Sequence, residues 1–510
     1  MSAGVSSGRR GVFVGRRRGP SSVRAGSSAP TEGQDSLIGE ADGERGVTLA
    51  MRLGGERALP VDRGRVVLSP GRLSRHLLVC GATGSGKTET VLRLAWTLAK
   101  CSDAPVFYLD GKGDRETASR FCGLMQDAGR TVRVFPNEPF DGWRGQAHEI
   151  QGRLMEIVDY SSEGPAAWYR DLAKNVLRLV CEHPDGPPRS SRAVLARMEI
   201  GALRQAYDGS SALEALTAEH VKQVRLRYEA FFGQARGALD GAWAWEDTTA
   251  AYLLLDSLAL REEASGLARF LFEDFAHYFT TRKDREKFCV LIVDEFSALA
   301  RGAGMAARIE QARGFHTGLV LAPQVVQGMG DENEAARIMG SVETVICHRV
   351  NTPEEIVMLA GTRQRMEYST HYTQEGSTGE GSARVQHQYK VDPNKVRALD
   401  PGAAYIISRG RAMRAQVLRA PDVRGELPAP IGPDDPESAE AVSLAEGAGE
   451  RVCEQIVPFR VVRRRERWGR PFRSEPQVEG DSSCSLVWLP GCPRSPCSRS
   501  TPRPCCSKRL

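Results

Sequence analysis

Short apolar runs, each followed by a stretch of helical periodicity, set the rhythm of residues 47–135. Residues 47–51 and 65–68 read as short strands separated by Gly/Pro turns, and His76-Leu77-Leu78-Val79-Cys80 as a buried strand. Val91, Leu92, Leu94, Ala95 and Leu98 then recur at helical spacing across residues 88–100. A strand over 105–110, a helix over 115–129 and a strand over 131–135 follow. The order β-α-β-α-β predicts a parallel sheet with right-handed crossovers.

The pattern changes from about residue 141. Strand-like runs vanish, and residues 166–182, 190–198, 218–235, 248–260 and 264–279 carry apolar side chains at helical spacing. Gly164-Pro165 and the Pro/Gly cluster at 184–188 punctuate them. This predicts an all-helical insertion over 141–287. Sheet-forming runs resume at 288–295 and 318–322, with a helix at 305–314 between them, and further strands are expected at 342–347, 403–407 and 415–418. Residues 367–387 are polar and Gly/Ser/Thr-rich and read as a mobile loop. The expected fold is α/β, a nucleotide-binding sheet in two parts (45–140 and 288–420) around the insertion. Residues 1–44 and 421–510 lack apolar periodicity and read as disordered tails.

Apolar residues make up 41% and charged residues 26% of the 510, a soluble globular composition. No run approaches the 18 apolar residues of a membrane span, and no apolar core follows the N-terminal arginines, so neither a transmembrane segment nor a secretory signal is expected. The net charge of +5 is unevenly placed: residues 1–30 carry +6 and residues 451–510 carry +8, which leaves about −9 for the rest. Basic tails attract polyanions only weakly and nonspecifically. Of twelve cysteines, six crowd the last sixty residues without any C-x-x-C, which argues against zinc and disulfide frameworks. A cytoplasmic setting is the expectation.

The chemistry lies in Gly81-Ala82-Thr83-Gly84-Ser85-Gly86-Lys87-Thr88, which satisfies the phosphate-loop pattern G-x-x-x-x-G-K-[ST] between a strand and a helix. Glycines let backbone N–H groups close on phosphates, Lys87 reaches the β- and γ-phosphates, and the Thr88 hydroxyl holds Mg²⁺. Val290-Leu291-Ile292-Val293 runs into Asp294-Glu295, carboxylates at the C-terminal end of a strand, where ligands bind in α/β sheets. Asp294 is placed to hold Mg²⁺ through water and Glu295 to orient or deprotonate an attacking water. Gln324, at the tip of the next strand, is placed to sense the γ-phosphate. ATP and Mg²⁺ are the expected cofactors.

The order of these segments resembles the FtsK/HerA-type P-loop NTPases, and within them the TraG/TraD-like coupling ATPases of type IV secretion and conjugation. The resemblance rests on Gly81–Thr88 followed by Glu89, on Tyr108-Leu109-Asp110-Gly111-Lys112-Gly113-Asp114, on Asp294-Glu295-Phe296, and on Ala312-Arg313 before the strand that ends at Gln324. Residues 356–362 and 399–405 resemble that family's closing segments. It implies a RecA-like, hexameric, DNA-translocating motor with DNA as substrate and a relaxase or a membrane-anchored secretion partner. It also makes Arg313 a candidate arginine finger toward a neighbour's γ-phosphate. A cation at a helix C-terminus is the other reading of Arg313. A HerA-like repair translocase and an ATP-switched recruitment factor are the alternatives to transfer.

Overall fold

The computed structural model describes residues 37–160, 167–208, 211–255, 261–295, 305–373 and 376–429. In chain order the strands are β1 (Ile38–Ala41), β2 (Glu44–Gly55), β3 (Val61–Asp62), β4 (Arg65–Leu68), β5 (Leu77–Cys80), β6 (Val106–Asp110), β7 (Arg133–Phe135), β8 (Ala250–Leu254), β9 (Cys289–Asp294), β10 (Thr317–Ala322), β11 (Thr344–Cys347), β12 (Thr362–Thr373), β13 (Gly376–Tyr389), β14 (Ala403–Ser408) and β15 (Arg411–Val417). Thirteen of them form one sheet in the order β3-β4-β2-β15-β14-β11-β5-β10-β9-β6-β8-β7, with β1 paired to β2. From β11 to β7 every neighbour is parallel, while β14, β15, β2, β4 and β3 extend the other side antiparallel.

Both faces of the parallel half are covered, which is why its strands read as unbroken apolar runs. Leu78 and Cys80 of β5, Leu291 and Val293 of β9, and Leu319 and Leu321 of β10 face one core. That core is closed by helices Ala147–Ile157, Ala167–Cys181, Ala218–Ala235, Arg261–Thr281 and Met305–Ala312. The alternate residues Leu77, Val79, Val290, Ile292, Val320 and Ala322 face a second core under helices Lys87–Cys101 and Arg115–Asp127. The two-residue period of a strand thus divides one apolar run between two helical layers.

Four elements differ from the sequence expectation. The apolar run expected as a helix over 248–260 begins with strand β8, inserted between β6 and β7, and residues 256–260 lie outside the described residues. A short apolar run has no periodicity of its own to separate strand from helix, and the slot between β6 and β7 decides it. Residues 141–287 therefore contribute a strand to the sheet. The loop expected over 367–387 is instead a two-stranded ribbon, β12 against β13, in register from Thr362↔Tyr389 to Thr373↔Gly376. Among the described side chains, Arg363, Arg365 and Gln386 on one face and Gln364 and His387 on the other hid the alternation. Within the expected 1–44 tail, Ile38–Ala41 pairs with β2 through a turn at Asp42 (φ 56°) and Gly43 (φ 75°), the Asp-Gly hairpin signal; residues 1–36 lie outside the described residues. At the other end, residues 421–429 form no helix or strand but lie against the sheet domain. Ser119 Oγ donates to Gly425 O and Gly425 N to Ser119 O, each at 2.8 Å, and Leu427 packs on the second core. The remainder of the expected C-terminal tail, 430–510, is outside the described residues.

The candidate nucleotide site

The loop Gly81–Gly86 leaves the C-terminal end of β5 and turns into helix Lys87–Cys101. Gly84 (φ 74°) and Gly86 (φ 108°) occupy left-handed backbone, and a Cβ on Gly86 would meet Gly402 N at 2.9 Å. The turn therefore requires glycine. The helix has no side-chain cap, so its first N–H groups remain available to an anion, assisted by the helix dipole. The loop is braced from behind: Ala82 N donates to Arg349 O at 2.8 Å and Gly402 N to Ser85 O at 2.8 Å. Buried His348 donates from Nδ1 to Ala403 O (3.0 Å), which leaves Nε2 to accept from Thr90 Oγ1 (2.7 Å) on the helix's first turn. Burial pushes this imidazole down to about 4, so it is neutral near pH 7.

Strands β9 and β10 bring the expected acids and amide to the loop. Lys87 Nζ donates to Ala322 O at 2.9 Å and lies 3.4 Å from Asp294 Oδ1 and 3.8 Å from Glu295 Oε2. Gln324 Nε2 donates to Glu295 Oε2 at 3.1 Å. Glu295 sits in left-handed backbone (φ 55°), and its N–H donates to Asp294 Oδ1 at 2.9 Å. A non-glycine residue held there costs on the order of 1 kcal/mol, an expense concentrated at functional sites.

Beneath the acids lies a buried pair of tyrosines. Tyr108 and Tyr252 stack at 4.9 Å, and each hydroxyl donates at 2.8 Å to an aspartate, Tyr108 to Asp294 and Tyr252 to Asp110. Asp110 also accepts from Lys112 N and Asp114 N, each at 2.8 Å. Burial raises the Asp110 carboxyl to about 6 against these hydrogen bonds. Asp114 caps helix Arg115–Asp127 by accepting from Glu116 N. Asp110 and Asp114 thus shape the loop beside the site rather than entering it.

Lys87, Thr88, Asp294, Glu295 and Gln324 line one cleft of about 500 Å³ together with the loop glycines. Arg313 does not line it. That arginine is exposed in the turn before β10, at the opposite end of the strand from Gln324. Sequence reading missed the far wall, formed by Lys112, Pro401, Gly402, Gln416 and Arg419. Pro401, Gly402, Gln416 and Arg419 reach the loop because β14 and β15 pair beside β11, whereas Lys112 follows β6; segments 108–114 and 399–405 carried the family resemblance, but nothing in them marked Lys112, Pro401 or Gly402 as lining the cleft. A magnesium triphosphate fits what is present: an uncapped helix N-terminus, a lysine, a threonine hydroxyl and an aspartate, with the phosphates supplying further oxygens. No cluster of three or more metal-ligating side chains occurs among the described residues.

The family described as "Helicase HerA, central domain" matches residues 60–180. The type 4 coupling protein DotL of Legionella pneumophila subsp. pneumophila (strain Philadelphia 1) is 26% identical over 119 residues, 23% of this chain and 15% of that protein's length. Among solved structures, the unbound form of the bacterial conjugative coupling protein TrwBdeltaN70 aligns with a TM-score of 0.56 at 18% identity, covering 76% of this chain and 98% of its own. TrwB in complex with ADP and Mg²⁺ gives 0.54 at 16%, covering 77% and 99%. VirB4 of Thermoanaerobacter pseudethanolicus gives 0.50 at 13%, covering 74% and 98%. At such identities the structural likeness is one of fold. Fold, motif order and family match together relate this chain to the HerA/FtsK-type P-loop ATPases, alongside the type IV coupling proteins and VirB4.

Proposed function

We propose that the chain is an ATP-hydrolysing motor that feeds DNA or a nucleoprotein substrate through conjugative or mobile-element transfer, working as a homo-hexamer with a relaxase or a membrane-anchored secretion partner. The observation that carries the hydrolytic part is the convergence of Lys87, Asp294, Glu295 and Gln324 on the phosphate loop. The loop N–H groups and Lys87 bind the phosphates of ATP, and Lys87 exchanges its contact with Ala322 O for a phosphate oxygen. Thr88 and Asp294 would hold Mg²⁺, which would supply charge neutralisation on the phosphates. Glu295 orients the attacking water and takes its proton, while Gln324 holds the Glu295 carboxylate and reads the γ-phosphate. Arg313 lies about one strand length, roughly 20 Å, from its own cleft, so a phosphate contact by it is open only to a neighbouring subunit's cleft. No helix among the described residues is long and apolar enough to cross a membrane, and the proposed setting is cytoplasmic, at the inner face of the membrane.

DNA translocation rests on the likeness to coupling proteins, and the test is ATP turnover with and without DNA. Hydrolysis should rise with DNA, collapse in Lys87→Ala through lost nucleotide affinity, and fall by about 10²–10⁴ in Glu295→Gln with affinity retained. Hydrolysis indifferent to every form of DNA would refute translocation and leave an ATP-switched recruitment factor. The match to the HerA central domain favours a second reading, a repair translocase or helicase; duplex unwinding without any transfer partner would select it.

A further inference from the structure

A second pocket, of about 590 Å³, opens at the root of the ribbon β12–β13. Arg363, Lys390, Lys395 and Arg414 line it against a single acid, Glu56. Lys390 is the one of the four in an ion pair among the described residues, with Glu56 at 3.2 Å, and it also donates to Gly410 O at 2.7 Å. Arg363, Lys395 and Arg414 are exposed, and the nearby Asp392 caps helix Pro393–Arg397 and forms an ion pair with none of them among the described residues. Three cations without an ion-pair partner among the described residues thus share one concave surface. Mutual repulsion raises the free energy of such a cluster, and a bound polyanion relieves it.

The ribbon continues that chemistry outward. Its register pairs Arg363 with Gln388, Arg365 with Gln386 and Glu367 with Arg384 on one face. Arginine and glutamine dominate this face, with Glu367 its one acid among the described side chains. The opposite face pairs Thr362 with Tyr389, Gln364 with His387, Met366 with Val385 and Tyr368 with Ala383, and Tyr368 is 77% exposed. Side chains on one face of a strand recur at roughly 7 Å, and strands of this length project on the order of 40 Å. A free two-stranded ribbon has the width that a nucleic-acid major groove admits, and arginine and glutamine are the side chains that read guanine and adenine edges. Exposed tyrosines stack on unpaired bases. Nucleic acid explains both faces and the basic root.

We infer that the pocket lined by Arg363, Lys395 and Arg414, with the ribbon rising from it, is a binding site for a nucleic-acid backbone, separate from the nucleotide cleft. The two sites share β15, which gives Arg414 to the pocket and Gln416 to the cleft, while Tyr405 of β14 lines the pocket and Gly402, just before β14, lines the cleft. The assignment rests on charge and shape and not on hydrolysis.

The test is fluorescence anisotropy of a labelled DNA duplex and of its single strand with the full chain, without nucleotide, across a salt series. A triple substitution Arg363→Gln, Lys395→Gln, Arg414→Gln should weaken binding at least tenfold at low salt. It should also reduce the slope of log affinity against log salt by about 2.7 for duplex and about 2.1 for single strand, three phosphate contacts' worth. Arg363→Lys with Arg414→Lys keeps the charge and should retain the slope, which separates lost charge from lost fold. The assay contains no nucleotide, so its outcome stands apart from the hydrolytic reading. Unchanged affinity and slope in the triple variant would overturn the assignment. So would a change in self-association on sedimentation with DNA binding intact, which would make the surface an interface between copies of this chain.

Discussion

His348 offers a direct measurement of how the phosphate loop is held. The side chain is buried between the first turn of helix Lys87–Cys101 and the turn before β14, with both ring nitrogens engaged. In the unfolded chain the imidazole takes up a proton near 6.5, whereas in the fold burial holds it at about 4. Between these values the unfolded state binds more protons, so the stability contributed by neutral His348 is complete above pH 6.5 and is lost as pH falls toward 4. With those two values the loss between pH 7 and pH 5 comes to about 2 kcal/mol. Buried His76, also at about 4, adds a similar loss, while Asp110 and Glu156, raised by burial to about 6 and about 7, act in the opposite direction. A difference between two proteins isolates His348. In His348→Gln the amide nitrogen can donate to Ala403 O and the amide oxygen can accept from Thr90, but nothing titrates. Urea unfolding of wild type and variant at pH 7 and pH 5 should show the variant about 2 kcal/mol less acid-sensitive. Parallel pH profiles would refute the reasoning and place the His348 proton outside the folding equilibrium.

Two further predictions test other supports of the site. Tyr108→Phe removes the hydroxyl that donates to Asp294 at 2.8 Å, a hydrogen bond to a carboxylate worth about 1.5–3 kcal/mol. The Mg²⁺ concentration for half-maximal ATP hydrolysis should rise roughly tenfold or more while circular dichroism stays unchanged, and an unaltered Mg²⁺ titration would dismiss the tyrosine as packing alone. In the helical layer, Asp274 pairs with buried Arg153 and accepts from Trp245 Nε1 at 2.8 Å. Asp274→Ala leaves that guanidinium uncompensated and should cost about 3–5 kcal/mol in urea unfolding; a loss below 1 kcal/mol, within the range of an exposed ion pair, would contradict its burial.

Residue order alone determined the parts of this protein whose physics is local. Gly81–Thr88 needs only its own glycines, the strand before it and the helix after it, and the structure places all of them as read. The run Cys289–Val293 is apolar throughout because both its faces are covered, so a buried strand ending in acids was legible, as was Gln324 beyond β10. Helix Ala218–Ala235 matches its periodicity to the residue. Tertiary structure decided what depends on neighbours distant in sequence. Ala250–Leu254 is as apolar as a buried helical turn, and only the open slot between β6 and β7 makes it a strand. The ribbon Thr362–Tyr389 is fixed by cross-strand register and not by burial, so its polar sequence concealed it. Gly402, Gln416 and Arg419 complete the cleft because antiparallel pairing carries β14 and β15 beside β11. A motif records chemistry held within one turn of chain; the far wall of the cleft is built by sheet order, which no single segment encodes.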